Sequence, residues 1–171
     1  FVRLFQTAWQ ELLWSTLLAA AAAALVAALA TLSAIVFRQW RTLAAIAIVP
    51  FLISGPLLGL GLIGVYNRPG FAGLIYDSFG ILLLAWTARF LFIGQWGIGA
   101  GVCGQPPSIH EASAVSGVSW WRTQLGVTIP LAMPYIAGAF GVAFILSFRE
   151  VDTAVLVAPP GTALASVRLF T

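Results

Sequence analysis

Residues 111–134 read EASAVSGVSWWRTQLGVTIPLAMP, a polar stretch interrupted by glycine that lies between strongly apolar runs. The runs on either side are each close to the roughly 20 residues that a helix needs to cross a bilayer. A membrane protein rarely keeps so much polar helix between two spans unless a molecule in the aqueous phase binds it. This stretch therefore decides how the chain is organised and what it does.

The composition predicts an integral membrane protein. Of the 171 residues, 61% are hydrophobic and only 8% are charged, and the mean hydropathy is +1.01. A soluble domain carries about 25% charged residues. This surface therefore has to face lipid or protein, and we predict an all-α, polytopic transmembrane helical bundle embedded in a lipid bilayer.

The rare residue types exclude several functions. All eight basic residues are arginine, so the lysine of a nucleotide-binding P-loop is missing, and their scatter makes nucleic acid an unexpected partner. Cysteine and histidine each occur once, at Cys103 and His110, so neither an internal disulfide nor a Cys/His metal site is available. We expect no cofactor, no metal and no catalytic residues.

Four apolar runs predict the spans of a single transmembrane domain, at about 12–37, 42–65, 73–96 and 127–148. The first contains the alanine run Ala19 to Ala24, whose small side chains favour close approach of another helix. The second is interrupted by Pro50, Gly55 and Pro56. The chain opens without Met and stops soon after its last span, so we expect a fragment lacking its last helix.

The loop between the last two spans, at about 97–126, predicts a local helical structure. Gly97 to Gly104 is rich in glycine and is expected to be flexible. Ser108 and Glu111 have the spacing of a capping box, which predicts a helix beginning at Ser108. Gly117 should interrupt that helix, and Ser119 is a candidate cap for a second one. We call residues 108–122 the knob.

Two interpretations of the knob remain open. Its small side chains would let a groove on another protein approach the backbone, as in helix-in-groove recognition. It could also be an interfacial hairpin, with Trp120 and Trp121 at the level of the lipid headgroups. Both can hold together, because the tryptophans can anchor a knob whose first helix faces a partner.

The same stretch resembles the EAA motif of binding-protein-dependent ABC importer permeases. Glu111, Ala112, Gly117 and Pro130 fall at matching positions, and Ser113 stands where a second alanine is usual. The segments Gly55–Gly61 and Ala88–Leu91 are similar to other elements of these permeases. Glu150 to Thr153, with the proline–glycine turn after it, is similar to the iron(III)-type branch.

The resemblance implies a type I importer permease of the inner (plasma) membrane, moving solute by alternating access without hydrolysing ATP itself. Its partners would be an ABC ATPase subunit, a periplasmic solute-binding protein and a second permease half, either another copy or a fused one. The knob would be cytoplasmic and would dock on the ATPase. The implied docking residues are Glu111, Ala112, Ser113, Ser116, Gly117, Trp121, Arg122 and Pro130.

Residues after the last span are candidates for the translocation path. Glu150 and Asp152 would place negative charge at its mouth, with Arg149 beside them. The alternative is a solvated acidic pair at the membrane surface. The solute could be iron(III), or else polyamine, thiamine, phosphonate or sulfate. Outside this class, a non-ABC channel or a membrane-embedded enzyme are the alternatives, and neither a filter motif nor an intramembrane catalytic set is visible.

Overall fold

In a computed structural model, the chain is described for residues 2–37, 40–76, 78–150, 153 and 156. These residues form helices without strands, which confirms the all-α prediction. The helices are α1 Val2–Phe37, α2 Trp40–Leu52, α3 Gly55–Tyr66, α4 Phe71–Tyr76, α5 Gly80–Cys103, α6 Pro107–Val115, α7 Trp120–Thr123 and α8 Ile129–Arg149. A π-helical turn, Gln124–Thr128, joins α7 to α8.

Among the described residues, three helical segments are long and apolar enough to cross a membrane, namely Leu12–Phe37, Gly80–Cys103 and Trp120–Arg149. A fourth span would require α2 and α3 together, and these two helices are bent by 98° at Ile53–Ser54. The break comes where glycine and proline open α3, because Pro56 lacks the N–H needed to continue α2. Pro50, by contrast, lies within α2.

Helix α5 is the centre of the bundle and packs against α1, α2 and α8. Alanines of α1 meet α5 and α8 in two clusters of buried side chains. Ala19, Ala22 and Ala23 lie with Trp86 and Ala143. Farther along α1, its alanines meet a second group that contains Ile98, Val102, Ala132 and Ala139. The prediction that the alanine run marks a close helix contact is confirmed.

The prediction of a flexible glycine-rich segment at 97–104 is wrong. Helix α5 continues through it to Cys103, so the third long helix covers 80–103 rather than 73–96. Gly101 within this segment, and Gly94 before it, allow close packing of α5 on its neighbours instead. A Cβ added at Gly101 would lie 2.4 Å from Cγ of Tyr135 on α8, and one added at Gly94 would lie 2.8 Å from the Ala30 Cβ on α1.

We expect Gly101→Ala to destabilise the bundle, because the new methyl group would meet the base of the Tyr135 side chain rather than its mobile end. Overpacking of this kind costs about 1–3 kcal/mol. The measurement is the thermal unfolding midpoint of the detergent-solubilised protein. Gly138→Ala is the control, since a Cβ there would have no atom of the described part of the chain within 4 Å. Equal midpoints for the two variants would contradict the packing assignment.

Candidate functional site

The knob is a helix–turn–helix at one end of the bundle, beyond the last turn of α5. Helix α6 contains no buried residue. Glu111, Ala112 and Val115 are exposed, whereas Ile109 and Ser113 are partly covered on the side toward the bundle. One helix face therefore points away from the rest of the chain, as the docking prediction requires.

Gly117 ends α6 through a Schellman motif. The Val118 N–H donates to the Ser113 carbonyl at 3.1 Å, and the Gly117 N–H donates to the Ala114 carbonyl at 3.2 Å. Gly117 has φ +67°, in the left-handed region that favours glycine. The predicted break at Gly117 is confirmed, and its cause is a backbone conformation rather than a lack of space, since no atom of the described residues lies within 4 Å of an added Cβ.

The predicted capping box is wrong. Helix α6 begins at Pro107 with Pro106 as its N-cap residue, so Ser108 lies inside the first turn, and no side chain caps the helix. Proline at the first helical position is favoured because its missing N–H would have no partner there anyway. Ser119 does stand at the N-cap position of α7, as expected, but its side chain makes no capping hydrogen bond.

The hydroxyl groups of Ser113 and Ser116 donate hydrogen bonds to backbone carbonyls of α6. The Ser113 hydroxyl donates to the Ile109 carbonyl at 2.7 Å, and the Ser116 hydroxyl donates to the Ala112 carbonyl at 2.8 Å. Both side chains therefore act as small groups whose hydroxyls already donate a hydrogen bond within the helix.

The residue that sequence reasoning missed is Val115, which is 91% exposed at the end of α6. An apolar side chain two residues before a helix-ending glycine was the available signal.

The second helix of the knob carries the two tryptophans and leads directly into α8. The rings of Trp120 and Trp121 pack edge to face with centroids 4.6 Å apart, and Trp121 is 62% exposed. Arg122 is also exposed. These side chains lie with α6 on the knob, whereas Pro130, the remaining predicted docking residue, lies beyond the π turn at the start of α8.

A hydrogen bond and a cavity mark the junction between knob and bundle. The Gln105 side-chain amide, just after α5, donates to the Thr128 carbonyl in the π turn at 2.9 Å. A cavity of about 180 Å³ beneath α6 is lined by residues of both parts, among them Cys103, Gln105, His110 and Gln124. A hydrogen bond and a cavity therefore lie where the knob meets the bundle.

Two of the candidate path residues, Arg149 and Glu150, lie at the opposite end of α8. Arg149 is exposed on its last turn, and Asp152 lies outside the described residues. Of the two alternatives for the acidic pair, a solvated group does not describe Glu150, whose side chain is 13% exposed and faces Arg89 of α5 at 3.6 Å between Oε1 and Nη1. The Thr153 hydroxyl donates to the same Glu150 oxygen at 2.7 Å.

Comparison with known proteins gives relatives of one kind, although no family model matches the chain. It is 25% identical to the putative 2-aminoethylphosphonate transport system permease protein PhnV of Salmonella paratyphi A, over 95% of this chain and 63% of that protein. The Salmonella typhimurium protein of that name gives the same figures. Identity to the putative ABC transporter permease protein ORF1 of Streptomyces antibioticus is 31%, over 80% of this chain and 60% of that protein.

The chain is similar to ABC transporter permeases. Such permeases are transport components rather than enzymes. The chain spans less than two thirds of the length of each of these relatives. Together with the long apolar helices, the similarity supports a multi-pass integral membrane protein.

We expect Gly117→Ala to loosen the end of α6. An L side chain in the left-handed region costs about 1–2 kcal/mol, which corresponds to roughly 5- to 30-fold more frequent opening. Hydrogen exchange of the amides between Ile109 and Val118, followed by mass spectrometry, measures this. Gly126→Ala is the control, because Gly126 also has open space but no positive φ. Unchanged exchange in Gly117→Ala would show that the turn does not hold α6 in place.

Proposed function

We propose that the chain is the membrane-spanning permease subunit of an ABC importer, and that the knob docks in a groove on a separate ATPase subunit. The single observation that carries the proposal is α6, a helix without a buried residue, standing between two long apolar helices at the residues that match the EAA motif. The similarity to ABC transporter permeases supports the same conclusion.

The exposed face of α6 has the character of a docking surface. Glu111 and Val115 are one turn apart on that face, with Ala112 between them, so a charged, a small and an apolar side chain lie side by side. The small residue allows close approach to the helix. Burial of a side chain the size of Val115 contributes about 1.5–3 kcal/mol. The internally bonded Ser113 and Ser116 need no partner from the ATPase.

The connection between knob and α8 provides a route for movement. Helix α7, the π turn and α8 form one segment, Trp120–Arg149, without a loop between them. A force on the knob is therefore applied directly to the start of a spanning helix. In the proposed mechanism, ATP-driven closure of two ATPase subunits draws two knobs together, and the helices rock to open the path on the other side of the membrane.

The proposed docking sets the orientation and the partners. The knob lies in the cytoplasm, which places the end of α8 with Arg149 and Glu150 on the outer side of the inner (plasma) membrane. A periplasmic binding protein delivers solute at that side, and a second permease half completes the path. Asp152 remains a candidate path residue on the basis of its sequence position.

For the solute, we propose an organophosphonate of the 2-aminoethylphosphonate class. The Salmonella relatives carry this solute in their names, and they align with 95% of this chain. The names of the relatives reported above give no support to iron(III), nor to polyamine, thiamine or sulfate. The phosphonate assignment therefore replaces iron(III) as the preferred solute.

The docking proposal predicts that Val115→Glu and Glu111→Arg each weaken binding of the ATPase subunit about tenfold or more. The first would leave a charge in an apolar part of the groove, and the second reverses a charge on the contacting face. The measurement is the affinity of the purified ATPase subunit for the reconstituted full-length permease. Asn67→Glu, an exposed change in the turn between α3 and α4, is the control and should bind like the wild type.

The solute assignment is tested separately by ATP hydrolysis. The permease is reconstituted with its ATPase and binding protein, and ATPase rates are compared with 2-aminoethylphosphonate, iron(III), spermidine, thiamine or sulfate as solute. We expect 2-aminoethylphosphonate to stimulate the rate and the others to leave it at the basal value. Stimulation by another of these solutes would overturn the phosphonate assignment while leaving the docking proposal intact.

A further inference from the structure

The pair Arg89–Glu150 is the most enclosed charged group that the structure describes. The side chain of Arg89 is 14% exposed and that of Glu150 is 13% exposed. Arg89 lies nine residues after the start of α5, which is about 13 Å along the helix axis. Charged side chains at such depth in a membrane protein are costly and are generally kept for function.

The two charges are not directly hydrogen bonded. Their closest atoms, Nη1 and Oε1, are 3.6 Å apart, whereas a charge-assisted hydrogen bond between nitrogen and oxygen measures about 2.7–2.9 Å. The carboxylate is held instead by Thr153, whose hydroxyl donates to Glu150 Oε1 at 2.7 Å. The guanidinium and the carboxylate therefore form an ion pair without a hydrogen bond, which leaves Nε and Nη1 of Arg89 able to donate to another acceptor.

Four buried donor atoms on Arg89, or on residues one turn from Arg89 or Glu150 in sequence, lack a hydrogen-bond partner among the described residues. They are Nε and Nη1 of Arg89, Nε1 of Trp86 and Oγ of Ser147. Trp86 is one turn before Arg89 on α5, and Ser147 lies on the last turn of α8, three residues before Glu150. Buried donors without a partner are rare in native structures and each calls for an explanation. A cluster of donors beside a guanidinium is complementary to an oxyanion.

We propose that Arg89 and Glu150 form a recognition site for a zwitterion that carries a phosphorus oxyanion and a primary ammonium group. The oxyanion binds the Arg89 guanidinium, with Trp86 and Ser147 as additional donors. The ammonium group binds the Glu150 carboxylate, whose orientation Thr153 maintains. The site deepens the proposed function and rests on it, since 2-aminoethylphosphonate carries both groups, separated by two methylene groups.

The same chemistry occurs in the headgroup of phosphatidylethanolamine. Both ligands present a phosphorus oxyanion and an ammonium group at a similar separation, so the cluster by itself would accept either one. Whether the site binds the free solute or the lipid headgroup is therefore tested by changing the lipid composition of the membrane.

The test measures equilibrium binding of radiolabelled 2-aminoethylphosphonate to the full-length permease with its ATPase, in nanodiscs of phosphatidylcholine and without binding protein. Ethylphosphonate, which lacks the amine, serves as competitor. We expect the wild type to prefer the aminated ligand by roughly tenfold or more, in line with a hydrogen bond to a charged group. Glu150→Gln should remove that preference and leave ethylphosphonate affinity within about twofold of the wild type.

The arginine variants test the other half of the site. Arg89→Gln should weaken both ligands about tenfold or more, and Arg89→Lys should recover part of the loss because it retains the charge. Arg68→Gln, in the exposed turn between α3 and α4, is the control and should bind both ligands as the wild type does. Size-exclusion profiles show whether each variant assembles with the ATPase. If Arg89→Gln does not assemble, the proposal is judged on the ligand selectivity of Glu150→Gln alone.

The result that overturns the inference is a Glu150→Gln variant whose preference for the aminated ligand equals that of the wild type, since the pair would then only hold α5 to α8. Absence of wild-type binding to 2-aminoethylphosphonate would overturn it too. Neither result bears on ATPase docking, whose failure would show separately as lost affinity between the wild-type subunits.

Repeating the binding measurement in nanodiscs that contain phosphatidylethanolamine shows whether the site binds the solute or the lipid headgroup. A competitive loss of affinity for 2-aminoethylphosphonate, abolished by Glu150→Gln, assigns the site to the lipid headgroup and supports the proposed chemistry. Unchanged affinity, together with the selectivity described above, assigns the site to the solute.

Discussion

The close contact of α5 with α1 and α8 is the interaction on which the rest of the structure depends. Lipid tails are as apolar as the side chains, so helices in a membrane associate through packing rather than through the hydrophobic effect. Small residues provide that packing here, with alanines on α1 and with Gly94 and Gly101 on α5. This contact holds the end of α5 and the start of α8 together, and the knob extends from those two points.

The two candidate sites lie at opposite ends of α8. At one end, the π turn and the Gln105–Thr128 hydrogen bond join the knob to the bundle. At the other end, Glu150 follows the last residue of α8 and faces Arg89. In the proposed importer, one helix would thus link the part that receives force to the part that meets solute. A π turn is often found at functional sites, because it interrupts regular helical hydrogen bonding.

Several features could be predicted from particular residues, and others could not. Gly117 marked the end of α6 because a glycine after a short polar helix favours the left-handed conformation. The capping box predicted at Ser108 was wrong, because Pro107 can start a helix one residue earlier without any side-chain cap. The glycines between 97 and 104 suggested flexibility, because the sequence pattern does not show that the space beside Gly101 is filled by Tyr135 of another helix. Glu150 and Arg89 are 61 positions apart, and their pairing follows only from the packing of α5 on α8.

The sequence by itself determined the membrane environment, the all-α fold and the location of the polar segment between two apolar runs. These follow from local properties, because apolar length, charge content and glycine position act within a few turns of helix. Only the tertiary structure decided which face of α6 is free, how far α5 extends and which charge faces Glu150. These three features depend on contacts between helices that are distant in sequence. The packing of one helix on another decides which side chains are buried and which are free.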